Sequence, residues 1–310
     1  TELPPRLAVL GAGPIGCELA QAFARLGSRV TLIASTPNVL PREDADATKL
    51  VEAAMLREGV DIICGGNTRA VSRDGNEKVL QVACDGHTRE IRVEQMLIAV
   101  GRTPNVESLN LEAAGVACDG EKGIQVNDYL QTSNPHIYAA GDVASRYQFT
   151  HAADAMARIV IRNALFFGRE KVSGLTMPWC TYTDPEVAHV GLYEAEAKQR
   201  GVAVTTITIP MSEVDRARLD GEEEGFLRVH LKKGSDQILG STLVSRHAGE
   251  TISEITAIMT AGKGLGALAN TIHCYPTQAE AIKKAADAYN RARLTPRAKR
   301  VFEVLLAWRR

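Results

Sequence analysis

The sequence has 310 residues, 45% hydrophobic and 24% charged, with a formal net charge of −1. That length exceeds one ordinary hydrophobic core, so two or three domains are expected, and the balanced charge gives no basis for a nucleic-acid partner. No apolar run approaches the roughly 20 residues that span a bilayer, and residues 1–30 lack the layout of a signal peptide, so a soluble, cytoplasmic protein without a membrane partner is expected. Six cysteines stand at positions 17, 64, 84, 118, 180 and 274, none closer than 20 residues to another. No redox pair, zinc knuckle or metal site is visible in that spacing, and reduced thiols are expected.

The chain opens on an apolar run, Leu7-Ala8-Val9-Leu10, followed at once by Gly11-Ala12-Gly13-Pro14-Ile15-Gly16. Strand, tight turn and helix in that order form a dinucleotide fingerprint. The first glycine permits the turn, the second admits the pyrophosphate, and the third lets helix and strand pack closely; the phosphates then face free N–H groups at the helix start. Ile15, Leu19, Ala22, Phe23 and Leu26 recur at helical spacing, Gly27 stops the helix, and Val30-Thr31-Leu32-Ile33 reads as the second strand. NAD-type sites place an acid near the end of that strand, but Ala34-Ser35-Thr36 carries none. The hydroxyls of Ser35 and Thr36 with the Arg42 guanidinium suit a 2′-phosphate, which favours NADP over NAD. The competing reading of Arg42 is a solvated loop charge near Glu43 and Asp44.

A helix over residues 44–59 and a short strand, Asp61 to Cys64, complete a βαβαβ unit. Residues 68–100 alternate in short runs broken by Asp74-Gly75 and Asp85-Gly86, which predicts an antiparallel meander ending in the strand Met96 to Val100. Gly101 and Arg102 leave the end of that strand, where open α/β sheets bind ligands; Arg102 faces the dinucleotide or is an exposed turn arginine. Further on, Ile137-Tyr138-Ala139-Ala140-Gly141-Asp142 reads as a short strand ending in a carboxylate, and Thr150-His151-Ala152-Ala153 opens a helix whose N–H groups can stabilise negative charge.

These motifs resemble, in order, those of the pyridine nucleotide-disulfide oxidoreductases. The resemblance covers residues 6–295 and implies an α/β architecture. A Rossmann-like NAD(P)H-binding domain (1–118) is followed by the C-terminal part of an FAD-binding domain (119–172) and an α+β interface domain (173–310) that forms a homodimer. It implies that Gly141 and Asp142 hold the ribityl chain of FAD, that His151 and Ala152 open the helix facing the flavin, and that Glu18 sits near the nicotinamide. Asp142 as a turn or cap aspartate and Glu18 as a first-turn helix glutamate are the competing readings.

Pro178 to Gly191 resembles the opening strand and turn of the family's interface domain. Strands follow around 203–209, 225–232 and 237–245, with helices near 192–200, 247–262 and 277–290. The apolar faces Ile252, Ile255, Ile258, Met259 and Ile282, Ala285, Ala286, Tyr289 suit either core or the homodimer interface. Glu213 to Ala217 and Thr277-Gln278-Ala279-Glu280 look most like the mercuric-reductase branch. Aligning Pro276, Thr277 and Glu280 with the family's His-Pro-Thr-x-x-Glu puts Tyr275 where other branches carry an acid-base histidine; a phenol with a pKa of about 10 is a poor base near neutrality. Tyr275 and Glu280 are the resulting catalytic candidates, with a packed interface tyrosine as the alternative. His273, two residues early, reads as structural.

The family's first glycine motif and its Cys-x4-Cys pair are not in this sequence and would precede Thr1, and no cysteine pair follows Cys274. The expectation is therefore part of an FAD-dependent NAD(P)H oxidoreductase that passes hydride to flavin and on to a disulfide or thiol-bound metal, without turnover as these residues alone. The FAD segment 119–172 should be the least ordered part. The alternative is a non-catalytic, dimeric NAD(P)-binding module. Finally, Arg297, Lys299, Arg300, Arg309 and Arg310 flank an apolar run with Phe302, Leu305, Leu306 and Trp308; a helix packed on its own protein is favoured there over one lying on a membrane.

Overall fold

The structure, a computed structural model, describes residues 2–309, apart from the side chains of Arg297 and Ala298. It divides into two compact units, one of residues 1–100 with 178–310 and the other of residues 101–177.

In the first unit, β1 (Arg6–Leu10), α1 (Pro14–Arg25), β2 (Arg29–Ile33), α2 (Ala45–Arg57) and β3 (Asp61–Ile63) alternate as the sequence predicts. The antiparallel strands β4 (Asn67–Asp74), β5 (Glu77–Cys84) and β6 (His87–Val93) follow, then β7 (Gln95–Ile98). The four-stranded sheet runs β3-β2-β1-β7 with every pair parallel, and β4-β5-β6 form a separate antiparallel sheet. Alternation along β1 sets the layers. Leu7 and Val9 face Cys17 and Ala20 of α1 and Val51 and Met55 of α2, while Ala8 faces Leu80, Val82 and Ile91 of the meander. Glycines occupy both hairpin turns at positive φ, Gly75 at 58° and Gly86 at 76°.

The second unit contains β8 (Cys118–Asp119), β9 (Gly123–Ile124) and α3 (Thr150–Leu165). The predicted strand at Ile137–Ala140 is not formed: Tyr138 makes a single bridge to Gln131. An extended run becomes a strand only where a neighbour pairs along it, and none does among the described residues. Val106, Leu111, Ala114 and Val116 pack with Ile124 and Ala139, which is why packing places residues 101–118 here and not with the nucleotide fingerprint.

The first unit resumes with β10 (Pro178–Thr181), β11 (Glu186–Gly191), α4 (Glu194–Gln199), β12 (Val204–Pro210), α5 (Asp215–Asp220), β13 (Phe226–Lys232) and β14 (Ile238–Ser245). The helices α6 (Ala248–Thr260), α7 (Leu265–Leu268), α8 (Glu280–Ala292) and α9 (Pro296–Trp308) complete it. The antiparallel sheet β10-β11-β14-β13-β12 buries Leu227, Val229, Leu231 and Leu243 against Ile252 and Ile255 of α6 and Ile282, Ala285 and Ala286 of α8. Most of both apolar stripes read from the sequence is thus buried in this core, with Ile258, Met259 and Tyr289 packed at its edge and only partly buried. On the other face of the sheet Val187, Phe226 and Val244 join the cluster beneath β1, α1 and α2, so the fingerprint region and the antiparallel sheet share one core.

α9 departs from expectation. The sequence favours a helix packed on its own protein, yet every described side chain from Lys299 to Arg309 is exposed. Arg310 and the Arg297 side chain, which belong to the same basic segment, lie outside the described residues.

Candidate functional site

The three glycines after β1 have three different physical reasons. Gly11 has φ +101°, and a Cβ there would stand 2.4 Å from the Ala99 carbonyl oxygen after β7. A Cβ at Gly16 would lie 1.8 Å from the Gly11 carbonyl oxygen, so helix and turn touch at that point. A Cβ at Gly13 would meet nothing within 4 Å. The close-packed positions leave the middle one facing open space. Gly13 is also the N-cap of α1 without a side-chain cap bond, and Pro14 follows at the first helical position. The first-turn N–H groups of Ile15 and Gly16 thus open a helix whose start no side chain seals, and Ile15 is exposed.

Past β2, Ser35 is exposed, whereas the Thr36 hydroxyl donates to the Asn38 carbonyl at 2.8 Å and closes its own turn. Arg42 is exposed and forms no ion pair among the described residues. The acids read as its neighbours are committed elsewhere. Glu43 accepts from Trp179 Nε1 at 2.9 Å and from the Tyr193 hydroxyl, and Asp44 caps α2 while pairing with Arg228 at 2.6 Å. Arg42 is thus left exposed, with neither neighbouring acid turned to it.

Glu18 is the fifth residue of α1 and so lies beyond the first turn, contrary to the reading as a dipole-compensating glutamate. Its Oε1 accepts the Tyr182 backbone N–H at 2.8 Å, and desolvation, opposed by that bond, raises its pKa. Burial pushes the Cys17 thiol up to about 12 and raises Cys180 as well, so neither is a ready thiolate.

In the second unit Arg102 Nη1 donates to Asp142 Oδ2 at 3.1 Å and to the Gln148 carbonyl at 2.8 Å. Two residues read for different cofactors therefore meet each other. Both are nearly half exposed, so the pair contributes at most about 1 kcal/mol. Gly141 takes φ +80°, and a Cβ there would press Ala153 of α3 at 3.1 Å. α3 begins at Thr150 with no side-chain cap bond and no acid in its first turn; Ala152 is fully buried, and His151 stacks on Phe149 at 5.2 Å. An exposed carboxylate and an unsealed helix start suit a ligand bearing hydroxyls and negative charge.

Tyr275 and Glu280 line a pocket of about 190 Å³ with His273, Lys284 and Asp287. Proximity has not joined them. The Tyr275 hydroxyl donates to Asp215 Oδ2 at 2.9 Å, which raises its pKa, while Glu280 Oε1 pairs with Lys284 at 3.1 Å and its buried Oε2 has no partner among the described residues. His273 is held by Glu254 at 2.8 Å and the Thr271 carbonyl at 3.0 Å.

Sequence reasoning missed the polar seam inside the first unit. His189 is fully buried, stacked on Tyr193 at 3.7 Å and bonded to Thr242 at 2.8 Å; desolvation lowers its pKa to about 3. Gln21 and Arg25 of α1 meanwhile hold Asp184 in the β10–β11 turn. No spacing rule connects residues 43, 179, 189 and 193; only the fold does. Among the described residues, no group of three or more His, Cys, Asp or Glu side chains is disposed to hold a metal ion.

The family model for pyridine nucleotide-disulphide oxidoreductases matches residues 1–157, and the model for the dimerisation domain of those proteins matches residues 177–286. Mercuric reductase of Staphylococcus aureus is 35% identical over 291 residues, 94% of this chain and 53% of that enzyme. Dihydrolipoyl dehydrogenase of Thermus scotoductus is 39% identical over 293 residues, 93% of this chain and 63% of the enzyme. The HOCl-induced flavoprotein disulfide reductase RclA of Escherichia coli superposes with a TM-score of 0.84 at 30% identity, covering 92% of this chain and 65% of that one. The chain thus spans about half to two thirds of the relatives it matches.

Proposed function

The chain belongs to the pyridine nucleotide-disulphide oxidoreductase family, and from that premise we propose that it carries the NADPH site and the dimerising part of an FAD-dependent oxidoreductase. The observation that supports this most is the open space at Gly13 between two glycines that packing forbids to change. Gly11, Gly13, Pro14, Ile15 and Gly16 bind the pyrophosphate through backbone N–H groups at the start of α1. Ser35 and the uncommitted Arg42 receive the 2′-phosphate, and Gly101 gives the chain its turn away from β7. Asp142 accepts from a ribityl hydroxyl in place of Arg102, and His151 and Ala152 present the start of α3 to FAD. When bound, the nicotinamide supplies a hydride to the flavin, and the electrons go on to a disulfide or thiol-bound metal, as the mercuric-reductase relatives suggest. Glu18, half-buried beside the loop, orients the nicotinamide end. Tyr275 and the unpartnered Glu280 oxygen serve the acceptor side as positioning groups, and the protein works as a homodimer.

The test is a visible spectrum of the purified chain after incubation with excess FAD and desalting, followed by titration with NADPH. Retained flavin that bleaches on titration supports the whole reading. Colourless protein that still binds NADPH would restrict it to a non-catalytic nucleotide-binding dimer, and failure to bind NADPH at all would refute it.

A further inference from the structure

α9 (Pro296–Trp308) carries six large apolar side chains, Val301, Phe302, Val304, Leu305, Leu306 and Trp308, each at least half exposed and Trp308 86% exposed. None joins a hydrophobic cluster among the described residues. At about 100° per residue, Val301, Val304, Leu305 and Trp308 repeat at i, i+3, i+4 and i+7 with Phe302 at the edge of that stripe, Glu303 and Arg300 fall on the far side, and Leu306 lies next to Lys299 where the two faces meet. Residues 297–310 hold five basic residues against one acid. Lys299, Arg300 and Arg309 form no ion pair among the described residues.

A helix of this length is marginal in water without a surface to bury its apolar face. A second copy of α9 is a poor cover. The basic residues sit at both ends of the segment, so parallel and antiparallel pairing alike set cation beside cation, with a single Glu303 per copy to offset them. An anionic lipid surface is complementary to the same charges. Thirteen residues rise about 20 Å, short of the roughly 30 Å hydrocarbon core, and no described helix is long and apolar enough to cross a membrane. The helix fits in the plane of the headgroups, with the exposed Trp308 indole at the depth aromatic belts favour.

We propose that α9 is an interfacial anchor that lays its apolar face into an anionic lipid bilayer. This departs from the expectation of no membrane partner, which rested on the lack of a spanning segment and does not bear on a helix lying flat.

The experiment is flotation of the full chain with vesicles of phosphatidylcholine alone or mixed with phosphatidylserine, with tryptophan emission read in parallel. Binding to the mixed vesicles, a blue shift that disappears in Trp308→Phe, and weakening by added salt are expected. Lys299→Gln and Arg300→Gln should each weaken partition about fivefold, and Leu305→Glu should abolish it without moving thermal unfolding, since every site changed is exposed. Equal flotation on phosphatidylcholine alone, or binding that survives Leu305→Glu, would overturn the proposal. So would sedimentation in which Leu305→Glu halves the mass of a protein that never floats, because the face then belongs to a second copy.

Discussion

Replacing Gly13 and Gly16 separately by alanine tests the nucleotide loop, because the two sites predict opposite losses. At Gly16 the new Cβ lies 1.8 Å from the Gly11 carbonyl oxygen, backbone that is itself pinned by the Gly11 N–H donating to the Ile33 carbonyl at 2.8 Å. Overpacking of this kind costs about 1–3 kcal/mol, and the higher helix propensity of alanine returns about 1 kcal/mol. A net loss of up to about 2 kcal/mol corresponds to a fall in Tm of up to roughly 8 °C. At Gly13 the backbone has φ −75° and the Cβ meets nothing. The small entropic gain of alanine, about 0.4–1 kcal/mol, is opposed by its weakness as an N-cap, so Tm should hold. A methyl group in the space left for the pyrophosphate should instead weaken NADPH binding by about tenfold or more, equivalent to about 1.4 kcal/mol. Differential scanning calorimetry and equilibrium titration with NADPH on both variants read the two effects. If Gly13→Ala melts with Gly16→Ala, or binds NADPH as tightly as the parent, the loop does not hold a pyrophosphate in the manner argued.

Arg42→Gln should raise the Kd for NADPH about tenfold while leaving NADH unchanged, since only the 2′-phosphate loses a charge-assisted partner; equal weakening of both nucleotides would contradict this. His189 titrates near pH 6.5 when unfolded and near 3 when folded, so the unfolded chain takes up the extra proton and stability falls as pH drops below 6.5, by about 1 kcal/mol per pH unit. The buried His230, its pKa also lowered by desolvation, adds in the same direction. Urea midpoints across pH 4–7 should therefore decline on the acid side, and His189→Gln should flatten the slope; an unchanged slope would assign acid sensitivity elsewhere. Residues 101–177 hold one pair of two-residue strands and a single long helix among the described elements. Amide exchange should be faster there than in β1, β2 and β14, and uniformly slow exchange across the segment would count against it.

The fingerprint, the hairpins and the order of elements were legible because each is set by neighbours in the chain. Glycines at fixed offsets turn the backbone, Asp-Gly closes hairpins, and apolar residues at periods of 2 and 3.6 choose strand or helix. Gly11, Gly13 and Gly16 could be assigned distinct duties on those grounds alone. The strand at Ile137–Ala140 could not be foreseen as absent, since pairing depends on a partner strand and not on the run itself. Nor could the sequence foretell that Arg102 meets Asp142, that Tyr275 turns to Asp215 while Glu280 pairs with Lys284 through one oxygen only, or that Glu43 abandons Arg42 for Trp179 and Tyr193. Hydrogen bonds are decided by which groups the fold brings within about 3 Å, and those separations span up to 150 positions here. The apolar stripes of α6, α8 and α9 make the same point. Their periodicity fixes an amphipathic helix in each case, but only packing decided that the first two close a core and the third is left facing outward.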